Sequence, residues 1–349
     1  MTAPVTIMDV VTPAPRPPWR DLADADPSAL ADHDPAWTDA VVRSGRWRDA
    51  SRWYHLSNGS SVVLPLVATT AVPGLSYYAS LPNGWGFGGL VGNGGIEPAV
   101  IALVIGDLAA QGWHSVRIRP DPLSGSAWGD AAPAGAATVA RRAHLLDLTP
   151  GPTDLMAAMR KSTRRAIRRG ERDAVDVEVG HSAELLDEYD RLWRLSVDRW
   201  AKAQHEPLWL ARRRAVLRDP PSRLRHLAAE FGDRFCLWVA RDRGEAVAAN
   251  VVVNGPSTHI ARAVMDRQRV GSSGIMQYLD WLAIEAACRS GSIRVNLGES
   301  GGSASLSHYK ESLGARPYDY TELRMEQVPI TRLDNALRAG VKKLVGFNE

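Results

Sequence analysis

Cysteine and long apolar runs are both scarce in this sequence of 349 residues. The two cysteines, Cys236 and Cys288, each lie in an apolar segment, which predicts buried free thiols in a reducing compartment and argues against a disulfide framework. Neither belongs to a metal-ligand spacing, so we expect no metal site. No stretch approaches the roughly 18 consecutive apolar residues of a membrane-spanning helix. The proline-rich N-terminus also lacks the basic start and apolar core of a signal peptide. These absences predict a cytoplasmic protein that is not integral to a membrane.

The net charge is small as well. A formal charge of +3 at pH 7 gives no global basic field, so we expect no DNA partner, although it leaves room for a local basic patch. The apolar fraction of 45% and the charged fraction of 23% are those of a soluble globular protein. The length suffices for two domains, and we expect a monomer.

The first half of the sequence predicts a proline-rich arm followed by strands and one long helix. Residues 1–20 carry four prolines between positions 13 and 18 and predict a flexible arm. Asn58-Gly59 is a hairpin signal between two predicted strands. The predicted strands are Arg52–Ser57, Ser60–Thr69, Gly74–Ser80, Ser115–Arg119 and Arg142–Leu148, and the predicted helix is Glu97–Gln111.

The second half begins at Pro150-Gly151-Pro152 and repeats a similar order. Its predicted helices include Asp154–Arg169, one that follows Ser182, Leu208–Arg218 and Ser222–Phe231. Then come strands Phe235–Arg241, Ala246–Asn254 and His259–Asp266, a helix from about Gly274 to Cys288, strand Ile293–Gly298, helix Leu306–Leu313, strand Tyr318–Met325 and helix Thr331–Val345. Both halves place a meander of three strands before a glycine-marked loop, a helix and a strand, which is typical of a duplication. We predict an α+β fold with mixed β-sheets flanked by helices, a first domain over 21–149 and a second over 150–349.

The element order of the second half is that of the GNAT acyltransferase fold. Its local sequences resemble one branch of that fold, the Fem family, which adds amino acids from aminoacyl-tRNA to peptidoglycan precursors. The resemblance lies in His144–Leu148 with Met159–Arg169, in Leu279–Cys288, in Val295–Gly298 with His308–Ala315, and in the loop Pro82–Gly89. It implies two tandem GNAT-like domains, an acyltransferase without a tightly bound cofactor, and no covalent enzyme intermediate.

Lys310 is the sharpest catalytic candidate. In the family, the lysine of the matching Phe-Lys pair lies near the acyl carbonyl and stabilises developing negative charge, and the resemblance implies this role for Lys310. A fixed cation at a forming oxyanion lowers the barrier. Tyr309 stands where the family more often has phenylalanine, and a stacking role is implied for it. The alternative is a lysine that exposes its ammonium and pairs with a neighbour such as Glu311.

Two stretches predict anion binding. In the helix that follows Asp154, Arg160, Arg164 and Arg168 form one row, with Lys161 beside them, and they suit the phosphates of tRNA, of a nucleotide-linked acceptor or of coenzyme A. A solvated charged face is the alternative. Gln268, Gly271 and Ser273 approximate the loop with which GNAT enzymes hold the pyrophosphate of coenzyme A at a helix start. This loop keeps an acyl-CoA donor as an alternative to aminoacyl-tRNA.

Three further predictions concern the acceptor and its proton. Trp85, Phe87 and Gly88 lie in a glycine-rich loop that resembles the acceptor-side loop of Fem proteins, where aromatic rings line a cleft; a plain connection is the alternative. Glu299 and His308 flank Lys310 in sequence and are candidates for positioning the amine or taking up its proton.

These observations favour the hypothesis that the protein is an amide-forming transferase. It moves an aminoacyl group from the 3′ end of an aminoacyl-tRNA to an amine of a cell-wall precursor or small metabolite, by direct attack. An acyl-CoA-dependent N-acyltransferase on the same fold is the alternative. A non-catalytic protein that binds a phosphorylated glycan or nucleic acid ranks third.

Overall fold

The computed structural model describes residues 4–72, 75–93, 96–173 and 175–327. Its contacts divide the chain into two units. Unit 1 takes the residues up to Arg142 and those from Tyr318 onwards, and unit 2 takes Ala143–Pro317. The predicted helix Thr331–Val345 lies outside the described residues.

The described residues of unit 1 form mostly short strands and four α-helices. Its strands are β1 (Ile7–Val11), β2 (Arg48–Asp49), β3 (Arg52–Leu56), β4 (Ser61–Leu64), β5 (Val67–Val72), β6 (Leu75–Ala79), β7 (Val91–Gly92), β8 (Ser115–Ile118) and β9 (Ala137–Asp147), whose last residues belong to unit 2. Its helices are α1 (Arg16–Ala25), α2 (Pro35–Arg43), α3 (Pro98–Ala110) and α4 (Gly125–Asp130).

Unit 2 contains the longer helices. They are α5 (Gly151–Ala158), α6 (Lys161–Arg172), α7 (Ala183–Ala203), α8 (Leu208–Arg218), α9 (Ser222–Phe231), α10 (Arg267–Val270), α11 (Ile275–Arg289) and α12 (Ala304–Ser312). Its strands are β10 (Asp176–Gly180), β11 (Phe235–Asp242), β12 (Glu245–Val253), β13 (Ser257–Met265) and β14 (Arg294–Glu299), and β15 (Arg316–Glu326) then leads back into unit 1.

The sheet of unit 2 has the order β10-β11-β12-β13-β14-β9. The pairs are antiparallel except that β13 and β14 run parallel, with helix α11 connecting them. Pairing between β13 and β14 covers three residues of each strand and ends at His259 and Asn296. The pairing with β13 therefore ends before β14 continues towards α12, while β9 still pairs with β14 at Glu299.

The same crossover occurs in unit 1. There β6 and β8 run parallel with helix α3 between them, and β15-β8-β6-β5-β2 form one sheet while β1-β3-β4-β7 form another. The apolar face of α3 (Ile101, Val104, Leu108) is buried in the core of this unit. A strand–helix–parallel strand unit in each half agrees with the duplicated order expected from the sequence.

Helices α6 and α11 of unit 2 approach each other closely because of two glycines. Gly274 precedes α11 with φ +88°, and a Cβ added there would lie 2.1 Å from the carbonyl oxygen of Ala166. A Cβ at Gly170 would lie 2.7 Å from Cβ of Tyr278. The basic helix α6 is thereby held against the start of α11.

Three predictions about the elements are wrong. The arm over residues 1–20 is instead β1, which pairs with β3, followed by α1, whose Trp19 is fully buried. Its prolines fit because they lie before or within the first turn of α1, where a missing N–H leaves no bond unmade. The strand Ser60–Thr69 is divided into β4 and β5 around Pro65, which has no N–H for a ladder.

The helix Asp154–Arg169 is likewise two helices, because Met159 and Arg160 adopt extended backbone between α5 and α6. The single domain boundary near residue 149 also differs from the structure. The chain returns to unit 1 at Tyr318, since β15 pairs with β8.

A buried carboxylate, Glu322 of β15, stabilises unit 1. It is fully buried and accepts from Arg119 at 3.1 Å, Arg141 at 3.0 Å and Arg324 at 2.6 Å. Burial favours the neutral acid, but the surrounding arginines outweigh it and hold the pKa of Glu322 at about 2.

We predict that Glu322→Gln lowers the free energy of unfolding at pH 7 by about 3–5 kcal/mol, because buried guanidiniums lose their carboxylate. The depressed pKa gives a stabilisation that is complete above the ordinary value of 4.5 and is lost as pH falls through about 2. Urea unfolding between pH 7 and pH 2 measures both. Asp319→Asn is the control, because its exposed pair with Arg142 contributes less than about 1 kcal/mol. Equal losses in the two variants would contradict the prediction.

Candidate active site

The ammonium group of Lys310 is buried in unit 2. Its Nζ donates to the carbonyl oxygens of Gly298 at 3.0 Å and Glu299 at 2.8 Å, and the residue is 7% exposed. Gly298 has φ +70°, a conformation that favours glycine, where β14 leaves its regular pairing. Ser303 caps α12 and so fixes the helix that carries Lys310. The lysine predicted from the sequence is therefore a buried cation and not an exposed surface charge.

Burial lowers the pKa of Lys310 to about 8, and the nearby carboxylates of Glu299 and Asp280 partly offset this effect. The side chain remains mainly protonated at pH 7. An ammonium has three N–H donors, and two of them serve the carbonyls of β14. Within the described residues, no hydrogen bond engages the third.

Beside Lys310 lies a carboxylate that sequence reasoning missed. Asp280 of α11 is 3% exposed, accepts from Asn250 Nδ2 at 2.6 Å and accepts a short hydrogen bond from the hydroxyl of Tyr309. Burial raises the pKa of Asp280 to about 6, while these two donors and the charge of Lys310 act in the opposite direction. Burial and the neighbouring Asp280 raise the pKa of Tyr309 well above its usual value, so its hydroxyl stays a donor. Tyr309 thus anchors α12 to α11.

A second polar cluster connects α12 to β9. His144 is fully buried; its Nδ1 lies 3.1 Å from the Ser300 hydroxyl and its Nε2 lies 3.0 Å from the Ser307 hydroxyl. Ser307 also donates to Glu311 at 3.0 Å. The ring therefore bridges the loop after β14 and the first half of α12, the two segments that hold Lys310 in place.

The predicted basic residues lie at the surface of unit 2. Arg160, Lys161 and Arg168 are exposed, and Arg164 is partly exposed and donates to the carbonyl of Ala157 at 2.8 Å. Arg160 precedes α6 and places its guanidinium 2.6 Å from Nε2 of His308 on α12. The basic face and the helix of Lys310 therefore meet. Both ring nitrogens of His308 lie within 3.2 Å of Nη1 of Arg160, and the role of His308 as a base stays a prediction.

The Gln268–Ser273 loop is also close to α6, because Arg169 donates to the carbonyl of Ser272 at 2.7 Å. Its backbone N–H groups are largely used within the loop itself. Those of Gln268 and Arg269 bind the Asp266 side chain, and those at positions 270, 271 and 273 bind carbonyls of 266, 267 and 270. The cradle of free N–H groups expected for a pyrophosphate is not formed by these five groups.

The predicted acceptor loop belongs to unit 1, where its rings are part of the core. Trp85 is 3% exposed and Phe87 is 2% exposed, and Phe87 packs edge-on against Tyr320 at 5.6 Å. The carbonyl of Gly88 lies 2.8 Å from Nε2 of His33. The expectation that these rings line an open cleft is wrong, since their faces are covered by the unit's own side chains.

Two findings are negative for the part of the chain that the structure describes. No group of three or more histidine, cysteine, aspartate or glutamate side chains is arranged to hold a metal ion. No helix combines the length and apolarity needed to cross a membrane. The role of Glu299 as a base stays a prediction; its backbone carbonyl accepts from Lys310 at 2.8 Å, and its carboxylate lies near enough to raise the pKa of Lys310.

The missed residues had a signal in the sequence. Asp280 is a carboxylate between Leu279 and Trp281 in a helix that is otherwise apolar at these positions, and Asn250 is an amide within the strand Ala246–Val253. A polar side chain that interrupts a buried run requires a partner. His144, which follows Ala143 at the start of a buried segment, belongs to the same class.

Comparison with known proteins bears on the fold of the chain. Residues 157–311 match the family described as acetyltransferase (GNAT) domain. No protein of curated function matches the sequence. Among solved structures, the crystal structure of FemX is similar with a TM-score of 0.65 and 9% identity over 93% of this chain and 99% of that chain. The C-terminal domain of a putative lysylphosphatidylglycerol synthetase from Agrobacterium fabrum is similar with a TM-score of 0.50 and 15% identity, over 93% and 94%. The predicted α+β class, with mixed β-sheets flanked by helices in a GNAT-like fold, is confirmed.

We predict that Asp280→Asn lowers the pKa of Lys310 below about 8, because the buried ammonium loses a nearby negative charge. NMR titration of the lysine side-chain signals measures the change, with the exposed Lys202 as an internal reference. Glu285→Gln on the same helix is the matched control, since Glu285 pairs with Arg289 at the surface. A Lys310 that titrates near 10.5 in the wild type, or identically in Asp280→Asn, would contradict the assignment.

Proposed function

We propose that this protein, a GNAT-type N-acyltransferase, transfers an aminoacyl group from the 3′ end of an aminoacyl-tRNA to a primary amine. The acceptor is an amine of a cell-wall precursor or a small metabolite, and the reaction takes place in the cytoplasm. The observation that carries the proposal is the buried Lys310 ammonium, which is fixed by two carbonyls and keeps one N–H for a substrate oxygen.

The reaction needs stabilisation of an oxyanion. The amine nitrogen bonds to the ester carbon, and the carbonyl oxygen takes up negative charge before the bond to the 3′ oxygen breaks. Lys310 donates to that oxygen, and its position is set before the substrate arrives, so little reorganisation opposes the reaction. The attacking amine loses one proton and the leaving 3′ oxygen gains one. No atom of the enzyme becomes acylated.

The charge state of Lys310 decides between two roles. A lysine with a pKa of about 8 is mainly protonated at pH 7, so it acts as a cation and donor and not as a base. Asp280, whose pKa lies near 6, is mainly ionised at the same pH. Its negative charge favours the protonated form of Lys310 over the neutral amine. Tyr309 positions Lys310 through its bond to Asp280.

The tRNA donor is supported by the surface beside Lys310. Arg164 and Arg168 lie on α6, and Arg160, directly before that helix, contacts His308 two residues before Lys310 on α12. Exposed arginines that lead to a catalytic cation suit the phosphates that precede the aminoacyl ester. The motifs that resemble the Fem family support the same donor.

Acyl-CoA is the second candidate donor. The loop 268–273 precedes the 15-residue helix α11, and a helix N-terminus favours an anion. Arg169 contacts this loop, and Arg269 is part of it. Against this donor, the N–H groups of Gln268 and Arg269 already bind Asp266.

We predict that Lys310→Met lowers kcat by about 100- to 1,000-fold, because the oxyanion loses its donor. In the wild type, the part of the rate that depends on the ammonium falls as pH rises through about 8. Steady-state rates of amide formation between pH 6 and pH 9.5 measure both effects. Lys202→Met, at an exposed lysine of α7, is the control. A loss confined to KM, or an unchanged pH profile, would argue against oxyanion stabilisation.

The donor is decided by a direct comparison. We expect radiolabelled aminoacyl-tRNA, and not acyl-CoA, to support amide formation, and prior RNase treatment to abolish it. The double variant Arg164→Gln, Arg168→Gln should raise KM for aminoacyl-tRNA by roughly tenfold and weaken its salt dependence, with little change in kcat. Arg20→Gln on α1 is the charge control. Turnover with acyl-CoA alone would replace the first proposal by the second.

A further inference from the structure

Exposed apolar side chains are concentrated on helices α7 and α8. Twelve large hydrophobic residues of the described chain are exposed, and half of them fall within 23 positions of unit 2. These six are Leu195, Trp200, Leu208, Trp209, Val216 and Leu217. Trp209 is 68% exposed and Leu217 is 59% exposed. Scattered single exposures are ordinary, but a cluster of this kind marks an interaction surface.

The apolar side chains of α8 face outwards. Its small residues Ala211 and Ala215 are buried, and the helix packs against α7. At about 100° per residue, Trp209, Val216 and Leu217 fall on the side opposite these alanines, with Arg213 between them. We call this set, Trp209, Arg213, Val216 and Leu217, the outer face of α8. A helix that packs on one side would normally present mainly polar residues on the other, whereas α8 presents three large apolar side chains around Arg213.

The same helix is strongly basic. Arg212, Arg213, Arg214 and Arg218 lie on it, and the sequence from Leu208 to Arg218 contains no acidic residue. Arg212 binds Asp198 at 2.6 Å and Arg214 binds Glu206 at 2.6 Å. Within the described residues, no salt bridge joins Arg213 or Arg218 to a carboxylate. The outer face therefore combines an apolar stripe with positive charge.

We propose that the outer face of α8 docks on an anionic lipid surface. Tryptophan favours the interface between headgroups and acyl chains, where its ring is apolar and its N–H is hydrated. Val216 and Leu217 enter the acyl boundary, and the guanidinium of Arg213 binds lipid phosphate.

The position of Arg213 favours lipid over a protein partner. It lies in the middle of the apolar stripe, so an apolar protein surface would bury its charge at high cost. On a membrane, the long side chain reaches back to the headgroups while its neighbours stay in the apolar layer. Helix α8 has 11 residues, about 16 Å at 1.5 Å per residue, and lies along the surface without crossing it. This surface is separate from Lys310, and the proposal does not depend on the acyl donor.

The test is co-sedimentation of the full chain with vesicles. We expect binding to vesicles of phosphatidylcholine with phosphatidylglycerol, weak binding to phosphatidylcholine alone, and release by salt. Trp209→Ser with Leu217→Ser should lower the partition coefficient by about tenfold or more. Arg213→Gln should lower it roughly fivefold and reduce the effect of salt.

Matched control variants distinguish docking through α8 from nonspecific adsorption to the vesicles. Met8→Ser on β1, at a side chain that is 70% exposed, and Arg20→Gln on α1 should leave the partition coefficient unchanged. Circular dichroism and the Tm confirm that each variant is folded. The proposal is overturned if the wild type ignores anionic vesicles, or if the controls weaken binding as much as the α8 variants. It is also overturned if the α8 variants instead convert a dimer into a monomer, since the face would then bind a second copy.

Discussion

A buried ammonium can exist only where acceptors replace the water it has lost, and this requirement governs the architecture around Lys310. The carbonyls of Gly298 and Glu299 supply two acceptors, and they are available because β14 leaves its regular pairing at that point. Gly298 adopts a left-handed conformation there. The backbone geometry at the end of β14 thus supplies the acceptors that allow the ammonium of Lys310 to be buried.

Carboxylates then keep the ammonium charged despite its burial. Asp280 lies on α11, and the hydroxyl of Tyr309 and the amide of Asn250 hold its oxygens. The carboxylate of Asp280, the hydroxyl of Tyr309 and the amide of Asn250 are each buried or bonded to a buried group. Breaking any of these hydrogen bonds would leave a buried polar group unpaired, which costs free energy. His144 connects β9 to α12 from the other side, so the helix that carries Lys310 is fixed at two places. A rigid donor of this kind suits stabilisation of charge that develops during a reaction.

Two basic surfaces of unit 2, on α6 and on α8, differ in their apolar content. The basic helix α6 meets α12 through Arg160, which directly precedes α6, and His308, and so leads to the helix that carries Lys310. Helix α8 instead combines arginines with an exposed Trp209 and Leu217. Polyanion binding and lipid docking use the same guanidinium chemistry, and the apolar side chains between the charges distinguish the second surface from the first.

The sequence by itself determined the order of elements from α7 to β15, apart from the one-turn helix α10, because alternation, helix periodicity and glycine turns are local signals. It also identified Lys310 and Tyr309, through a motif of adjacent residues that resembles a known family. Only the tertiary structure decided that Lys310 is buried, that Trp85 packs in a core, and that Asp280 lies beside the lysine. These facts depend on contacts between residues far apart in the chain, and a local pattern contains no information on which distant side chain meets which. The physical reason is that burial and pKa are set by all the neighbours in space, and the fold alone brings those neighbours together.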